Sequence, residues 1–414
     1  MPKDDSVTQS ILAYNRGRDP ERLARKYELI RRDPFAFFRG TCALFYATLP
    51  RAALFIESPP VLACGDLHLE NFGTYKGDNR LVYFDLNDFD EAALAPLTLE
   101  LVRFMTSVHV AAAHLKLTAP QATRLCRIFV DTYRAAIIDG KPRWIERLTA
   151  DGMVRDLLQS LAQRKRKDLL ARRTTRTRDG LCLLLDGQHA LAASPAERRR
   201  IAALIKRYAA TTAEPGFYRV LDIARRIAGT GSLGVERYVL LVEGRGSPSA
   251  NYLLDLKRAV PSALVAATRT RQPRWSCDAA RVVGVQRIVQ AIAPARLAMI
   301  ADGVQSYVLK ELQPAADRLD LTLWRGHVAR LEAVIESMAE VTAWGHLRAC
   351  SRNGAASVET VQRYAASAAW IKPLCAIAQK SAARTLAQWR SYCSAYERGA
   401  FACTPAPTAA TRSR

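Results

Sequence analysis

The spacing of hydrophobic residues alternates along the chain between a helical pattern and a strand pattern. Apolar residues recur every three or four positions in residues 1–60, in most of 97–215 and in 317–402, which predicts amphipathic helices. In residues 60–90 and 217–259, short apolar runs are separated by Gly, Asp and Asn, which predicts strands and turns. A helix near 279–295 and a strand that begins at Ser306 complete the expected elements.

This order of elements predicts an α+β protein with two lobes, one large and helical and one small and built on an antiparallel sheet. We divide the chain into an N-terminal helical segment (1–60), a part with the candidate catalytic loops (61–215), a β domain (216–316) and a helical part that completes the large lobe (317–402). Residues 403–414, with the sequence "CTPAPTAATRSR", are expected to form a disordered tail.

Composition adds the expected environment of the protein. Apolar residues make up 49% of the 414 positions, enough for a substantial core. The nine cysteines are scattered without a C-x-x-C pair, which favours reduced thiols over a disulfide framework. The polar start is unlike a secretory signal, and the apolar runs are too short to cross a membrane. We therefore expect a cytoplasmic protein that is not inserted in a membrane.

The net charge of +22 predicts attraction to polyanions. Much of this charge lies in "RKRKDLLARRTTRTRD", residues 164–179. The run is typical of a solvated helix end followed by a loop, and the alternative is a contact surface for an acidic partner such as nucleic acid. No aromatic residues interleave it, which weakens the case for base stacking.

Two acidic segments carry the candidate chemistry. Asp66 lies in "CGDLHLENFG" with Asn71 five residues later, and "LVYFDLNDFDEA" then presents Asp85, Asp88 and Asp90 after an apolar run. In kinases an Asp of the catalytic loop is the base, and an Asn five residues later binds Mg²⁺. We therefore predict Asp66 as the base and Asn71 and Asp88 as metal ligands, with Asp85 and Asp90 as alternative ligands.

Other interpretations of these segments remain open. Asp66 and Asn71 could simply cap a turn, and the later acids could form a solvated loop. The "GDLH" motif also resembles binuclear metallophosphatases, but the other histidines lie in mostly helical contexts without the further metal motif. His68 could assist catalysis or orient the loop through a backbone hydrogen bond. Glu70 is expected to be exposed.

A glycine segment far downstream predicts a phosphate-covering loop. "GTGSLGV" places Gly229, Gly231, Ser232 and Gly234 before the strand-like "VERYVLLVEG". A dinucleotide fold would need a helix after the glycines, whereas a glycine turn between two strands covers phosphates in kinases. An ordinary hairpin is the alternative. Lys257, in the next strand "NYLLDLKRA", is the candidate partner of the phosphates.

The order of these motifs is the reverse of that in kinases, where the glycine loop and the lysine precede the catalytic loop. Circular permutation is the simplest explanation, because folds tolerate it when the natural chain ends lie close together. The segment "AARVVGVQRIVQAI" would then be the helix of the small lobe, and "SYVLKEL" the strand that leads out of it. The helices after residue 317 would return beside the acidic loops.

The motifs "DPFAFFRG", "CGDLHLENFG", "VYFDLNDFDEA", "LTLELVRF", "LDIARRIAGTGSLGVERYVLL", "LLDLKRA" and "RVVGVQRIVQ" resemble, in order, the bacterial family catalogued as domain of unknown function 2252. The resemblance covers roughly residues 30–400. That family looks like a distant relative of the aminoglycoside phosphotransferase and protein kinase-like superfamily. The resemblance implies an ATP-dependent phosphotransferase fold, with Asp66, Asn71, Asp88 or Asp85, and Lys257 in the roles given above.

Two departures from the family pattern concern the lysine. Arg258 replaces an acid after the strand, and Gly284 stands where a glutamate is expected on the helix. The ion pair of Lys257 would then be lost, or supplied by Gln286 or another residue. Arg39, in "FFRG", would either reach the site or serve the structure.

The sequence thus predicts an enzyme that uses ATP and Mg²⁺ to transfer phosphate, or less favourably the adenylyl group, to a small molecule or a protein. The alternative is a catalytically impaired kinase-fold module that binds a nucleotide or an acidic partner through its basic surface. The acceptor and the oligomeric state have no recognisable sequence code.

Overall fold

The computed structural model describes residues 4–162, 164–178, 180–246, 250–313 and 318–402. No helix in these ranges has the length and apolar content that a membrane crossing requires. The tail predicted for 403–414 lies outside the described residues. All eight cysteines in the described part are free thiols, as predicted.

The first hundred residues contain five helices and four short strands within the described chain. They are α1 (Asp4–Tyr14), α2 (Pro20–Arg31), α3 (Pro34–Gly40), α4 (Cys42–Ala47), α5 (Leu54–Glu57), β1 (Pro60–Ala63), β2 (Phe72–Lys76), β3 (Val82–Leu86) and β4 (Ala93–Pro96).

The middle of the chain alternates helices with strands. Its elements are α6 (Leu97–Ala111), α7 (Ala119–Asp139), β5 (Ile145–Glu146), α8 (Gly152–Ala162), α9 (Arg166–Arg173), β6 (Thr174–Thr177), β7 (Gly180–Leu183), β8 (Ala190–Ala192), α10 (Pro195–Ala209), β9 (Val220–Arg226), β10 (Arg237–Val242) and β11 (Tyr252–Arg258).

The last part returns to helices after two more strands. Its elements are α11 (Ala263–Ala267), α12 (Asp278–Val289), β12 (Ala298–Asp302), β13 (Gln305–Glu311), α13 (Val328–Ala349), α14 (Val358–Ala366) and α15 (Ile371–Glu397). The chain is therefore a mixed α+β protein with antiparallel sheets, as the sequence predicts.

Local sequence signals explain where several helices begin. The carboxylate of Asp33 accepts a hydrogen bond of 2.8 Å from the Ala36 amide, and Pro34 opens α3 with the backbone angle that a helix needs. Ser194 and Glu197 form a reciprocal capping box at the start of α10. These caps satisfy amide groups that the first turn of a helix leaves without partners.

A six-stranded antiparallel sheet, in the order β12-β13-β11-β10-β9-β8, forms the smaller layer. Because side chains alternate along each strand, the sheet has two different faces. One face buries Tyr238, Leu240, Leu254 and Leu256 beneath α10. Part of the other face packs against α9 and the β6–β7 hairpin, and the rest of that face borders a cleft.

The larger core joins α6, α7, α12, α13 and α15 to the small sheets β1–β4 and β2–β3–β5. Helix α13 packs along α7 and also contacts β1 and β3, so the chain after residue 317 does return to the segment with the acidic loops. This return agrees with the sequence prediction. It places both ends of the described chain on the helical side of the molecule, where α1 contacts α15.

Two details of the predicted element pattern are wrong. Residues 97–215 contain the short strands β5 to β8 as well as helices, and β8 and α10 pack with the six-stranded sheet although they precede residue 216. Strands of two to four residues contain too few alternations to show a period. The helix predicted to reach 295 ends at Val289, because Gln290 turns to an extended conformation and its side-chain amide donates to the Leu86 carbonyl.

Gly284, on α12, provides the room for an indole ring. A Cβ atom built at this position would lie 2.5 Å from the Cζ3 atom of Trp275. Trp275 packs against the larger core, so the ring has little freedom to withdraw. The glutamate that the family pattern places here could not fit without moving Trp275.

We therefore predict that Gly284→Ala lowers the free energy of unfolding. Alanine would gain about 1 kcal/mol of helix propensity, but overpacking in a filled core costs typically about 1–3 kcal/mol. The net loss should be up to about 2 kcal/mol, measured by urea denaturation. Gly216→Ala is the matched control, because an added methyl group meets open space there. Equal or higher stability of Gly284→Ala would contradict this packing.

Candidate functional site

A cleft of about 270 Å³ separates the six-stranded sheet from the two acidic loops. It brings together segments that lie more than 150 positions apart in the sequence. The predicted site residues that line it are Asp66, His68, Asn71, Asp88, Asp90, Gly229, Gly231, Ser232 and Lys257. The spatial arrangement that the sequence predicted, with the glycine loop and the lysine facing the acids, is therefore present.

Two predicted site residues lie outside the lining of this cleft. Asp85 is buried on β3, where its carboxylate lies 3.7 Å from Arg348 and accepts the Leu86 amide. Burial raises the pKa of Asp85 to about 6. Gly234 accepts the Asp19 amide through its carbonyl and has a φ of +86°, so it shapes the turn of the loop. The structure gives Asp85 no part in the cleft and Gly234 a backbone role.

Gly65 allows the two acidic loops to approach each other. Its φ is +85°, and a Cβ atom here would lie 1.9 Å from the carbonyl oxygen of Glu91. Only glycine combines this left-handed conformation with so close a backbone contact. Asp66, the next residue, is therefore held against the loop that carries Asp88 and Asp90.

A buried arginine fixes the carboxylate of Asp66. Arg103, on α6, donates from Nε to Oδ1 of Asp66 at 2.5 Å and from Nη2 to the Phe38 carbonyl. Its guanidinium lies 4.1 Å from the centre of the Phe38 ring and 4.8 Å from that of Phe45. Burial raises the pKa of Asp66, although Arg103 opposes the shift. A held carboxylate with a raised pKa is suited to accept a proton from a hydroxyl group.

A second buried residue of α6 holds the backbone of the same loop. Oε1 of Glu100 accepts the amides of Cys64 and Gly65 at 2.7 and 3.1 Å. Its Oε2 accepts from Nε2 of His346 on α13 at 2.7 Å, and the hydroxyl of Tyr133 lies 2.8 Å from Nδ1 of that ring. Burial alone would raise the pKa of Glu100, but these hydrogen bonds lower it, so the carboxylate is ionised.

Asn71 ties the two acidic loops together. Its Oδ1 accepts the Asp88 amide at 2.7 Å, and its Nδ2 donates to the carbonyls of Asp66 and Asp88 at 3.0 and 3.1 Å. This amide therefore positions Asp88 relative to Asp66. The amide oxygen has a second lone pair that remains available to a ligand.

The carboxylate and amide oxygens of the acidic loops could hold a metal ion only if a bound ligand supplied further oxygen atoms. In the described part of the chain, no three His, Cys, Asp or Glu side chains converge as a metal site. Asp88 accepts the Asp90 amide and makes no ion pair with a described residue. Burial would raise the pKa of Asp88, but the ammonium groups of Lys257 and Lys310 hold it well below its usual range. One carboxylate and one amide oxygen fit Mg²⁺ that binds with phosphate oxygens.

Lys257 forms an ion pair with a residue of the second acidic loop. Its ammonium group is paired with the carboxylate of Asp90. Of the alternatives that the sequence left open, a residue other than Gln286 supplies the partner, and the side-chain amide of Gln286 donates to Gln290 instead. Asp90, predicted as an alternative metal ligand, thus bridges the sheet and the loop.

Two cations, one from α2 and one from the connection between α1 and α2, hold the glycine loop, which joins β9 to β10. The carbonyl of Gly231 accepts from Nζ of Lys26 at 2.7 Å and from Nη1 of Arg18 at 2.8 Å. Lys26 is fully buried and also donates to Oδ1 of Asn15 at 2.9 Å. Burial lowers the pKa of Lys26 well below its usual value. The first helices therefore fix the loop that the sequence analysis treated alone.

The residues beside Asp66 also have defined partners. Nδ1 of His68 accepts the Glu70 amide at 3.1 Å, so His68 orients the loop as one of the sequence interpretations proposed. Burial lowers the pKa of His68 well below its usual value, which keeps the ring neutral. Glu70 pairs with Arg39 at 2.5 Å and lies 4.0 Å from Arg318. It is half-buried in the cleft, so the expectation that it is simply exposed is wrong.

The basic run at 164–179 is only partly a solvated surface. It forms α9 and β6, apart from Asp179, which lies outside the described residues. The guanidinium of Arg166 lies 4.1 Å from the centre of the Tyr252 ring, and Arg173 lines the cleft. Leu170, within the run, is buried against the sheet.

Sequence analysis missed the buried charges that support the cleft, namely Lys26, Glu100, Arg103 and His346. A signal for two of them was present in "LTLELVRFMTSVHVA", where one acid and one base interrupt an apolar helix. A charge in a fully buried helix needs a specific partner, so it points to a structured polar contact.

The fold and the cleft define a mixed α+β protein with a charged cleft between an antiparallel sheet and two acidic loops. The chain belongs to the bacterial family described as "Uncharacterized protein conserved in bacteria (DUF2252)", whose model matches residues 18–395. This match confirms the family resemblance of the motifs and includes every residue that lines the cleft except Tyr14. No curated protein and no solved structure matches the chain.

The contacts of Glu100 predict a pH-dependent contribution to stability. Because folding lowers its pKa, the contribution is complete above the ordinary value of 4.5 and is lost as the pH falls through the folded-state pKa. Glu100→Gln should cost about 2–3 kcal/mol at pH 7, since two amides and His346 lose a charged acceptor. The difference from the wild type should shrink below pH 4.5 in urea denaturation curves.

Glu28→Gln is the control, because Glu28 makes an exposed ion pair with Arg32. It should change stability by less than about 0.5 kcal/mol at each pH. A difference between wild type and Glu100→Gln that stays constant from pH 7 to pH 3 would contradict an ionised Glu100 in the folded protein.

Proposed function

We propose that this protein is an ATP- and Mg²⁺-dependent phosphotransferase with a circularly permuted, kinase-like fold. The observation that carries the proposal is the meeting of the acidic loops with the glycine loop and Lys257 across one cleft. Phosphoryl transfer requires little covalent chemistry from a protein, and it depends on positioned charges around the phosphates and the acceptor hydroxyl. The cleft offers charged groups for the phosphates and a carboxylate for the acceptor hydroxyl.

The topology supports the permutation. A glycine turn joins two antiparallel strands, the next strand carries Lys257, and α12 and β13 follow. In a kinase these elements precede the catalytic loop, whereas here Asp66 comes first. Helix α13 returns to pack beside the strands next to Asp66, and α1 lies against α15. Chain ends close together are the condition under which a fold tolerates such a rearrangement.

The lining of the cleft suits a nucleotide. Charged residues surround Lys257, whereas Leu183, Ile227, Val239 and Leu312 provide apolar surface in the same cleft. A nucleotide has this same division between an apolar base and an anionic phosphate chain. Recognition sites for cofactors typically combine an apolar wall with a few polar groups.

The roles of the residues follow from their contacts. Asp66, held by Arg103, accepts the proton of the acceptor hydroxyl. Asp88 and Asn71 are the residues that would hold Mg²⁺, which supplies neutralising charge at the phosphates when it is bound. Lys257 exchanges its contact with Asp90 for a phosphate oxygen. The glycine loop, anchored through Gly231, covers the phosphates with backbone amides.

A second candidate is a non-catalytic module of the same fold. Gly284 leaves α12 without the acid that pairs with the lysine in kinases, and Lys257 is instead paired with Asp90. Such a module would bind a nucleotide, or an acidic partner such as nucleic acid through the basic surface, without transferring phosphate. Product analysis separates the two candidates.

Asp66→Asn tests the proposed role of the base. The wild-type protein with MgATP should release ADP as it transfers phosphate to itself, to water or to an added acceptor, and the variant should lose at least about a hundredfold in this rate. MgATP affinity, measured by calorimetry, should stay within about threefold, because Asp66 acts on the acceptor. Chromatography of the nucleotide products distinguishes ADP from AMP.

Asp139→Asn, at the C-terminal end of α7, is the control for removal of an acid outside the cleft. Thermal denaturation checks that Asp66→Asn is folded, since Arg103 loses a charged partner in that variant. An unchanged rate in folded Asp66→Asn would refute the role of Asp66. MgATP binding without any turnover in the wild type would support the non-catalytic module instead.

A further inference from the structure

The face of the six-stranded sheet that borders the cleft carries a layer of charged side chains. Asp255, on β11, is opposite Lys310 of β13 in the strand register, and Lys257 is opposite Arg237 of β10. Arg226 joins them from β9. All five residues line the cleft, so the sheet face that borders the cleft presents charged side chains to it.

The charges of this layer are almost all paired. Asp255 is bound by Arg226 at 2.7 Å and by Arg237 at 2.5 Å. Lys257 is paired with Asp90. Burial would raise the pKa of Asp255, but these arginines hold the pKa well below its usual range. The negative charge of Asp255 is therefore balanced by the two arginines.

Lys310 is the exception. Its ammonium group makes no hydrogen bond and no ion pair within the described part of the chain, although the residue is half-buried. The carboxylate of Asp88, on the opposite wall, likewise has no ion-pair partner among the described residues. The charge of each group shifts the pKa of the other, but the two groups are not in contact. An unpaired cation and an unpaired anion thus face the same space.

We propose that Lys310 binds a phosphate group of the ligand, so that the anion site extends along the sheet from Lys257 to Lys310. The inference deepens the proposed function and rests on it for the identity of the nucleotide. The ligand class that fits two lysines on adjacent strands is a polyphosphate, because each ammonium group can take a different phosphate.

The cost of burial supports this assignment. A half-buried ammonium group has lost part of its hydration, and an anionic or hydrogen-bonding partner restores that part. Burial lowers the pKa of Lys310, although Asp255 and Asp88 oppose the shift. A phosphate oxygen would replace the missing hydration, whereas a nucleobase stacked on this layer would leave the ammonium group unsatisfied. The neighbouring acids do not serve as partners in the structure, because Asp255 is already held by two arginines and Asp88 is not in contact with the ammonium group.

The test uses inorganic tripolyphosphate as a probe that needs no nucleoside site. Calorimetry should show that Lys310→Met weakens tripolyphosphate binding by at least about tenfold, while Lys310→Arg retains it within about threefold. MgATP binding should weaken in parallel. Methionine preserves the length and apolar part of the side chain, and thermal denaturation confirms that each variant is folded.

Lys76→Met is the matched control, because Lys76 is an exposed lysine of β2 that lies outside the cleft lining. It should leave tripolyphosphate affinity unchanged. Equal tripolyphosphate affinity of Lys310→Met and the wild type would overturn the inference, as would a wild-type protein that binds neither probe.

The inference and the proposed function can fail separately. Tripolyphosphate binding that depends on Lys310, without any turnover of MgATP, would support the anion site and count against the phosphotransferase. Turnover of MgATP with unchanged tripolyphosphate binding in Lys310→Met would support the enzyme and overturn the role of Lys310.

Discussion

The organisation of the cleft depends on two ionised side chains buried in one helix. Glu100 and Arg103 lie three residues apart on α6, and both have no exposed surface. The first holds the backbone of the loop before Asp66, and the second holds the carboxylate of Asp66. Burying an ion is costly unless it is paired, so the loop, α6 and α13 must adopt one mutual arrangement. Nη1 of Arg103 is the one atom of these two charged groups that is buried without a hydrogen-bond partner among the described residues. The position of Asp66 is a consequence of that requirement.

The opposite wall is fixed by the same kind of contact. Lys26 of α2 and Arg18, which precedes α2, donate to the carbonyl of Gly231, and the amide of Asp19 donates to the carbonyl of Gly234. The glycine loop is therefore held from its outer side by a buried cation. Both walls combine a glycine-permitted backbone with a charged anchor from a helix, and the cleft lies between them.

The high positive charge of the chain takes two forms in the structure. Some of it lies in exposed ion pairs, such as Arg127 with Asp131, which contribute little stability. Another part lies at the cleft, where Arg226, Arg237, Lys257 and Lys310 share one sheet face. The second group has the arrangement that attracts an anionic ligand, because its charges lie on low-dielectric walls that focus the field. The net charge of the sequence does not distinguish the exposed basic residues from those that line the cleft.

The amino-acid sequence by itself determined most of the helices, the longer strands and the acidic and glycine segments of the cleft, because spacing and turn residues are local properties. The pairing of Asp66 with Asn71, the glycine turn before β10 and the strand with Lys257 were all legible in this way. Only the tertiary structure decided that Asp85 faces Arg348, that Lys257 contacts Asp90 and that Lys26 holds Gly231. Each of these contacts joins segments far apart in the chain. The partner of a buried charge is set by the packing of whole elements, and no local pattern encodes it.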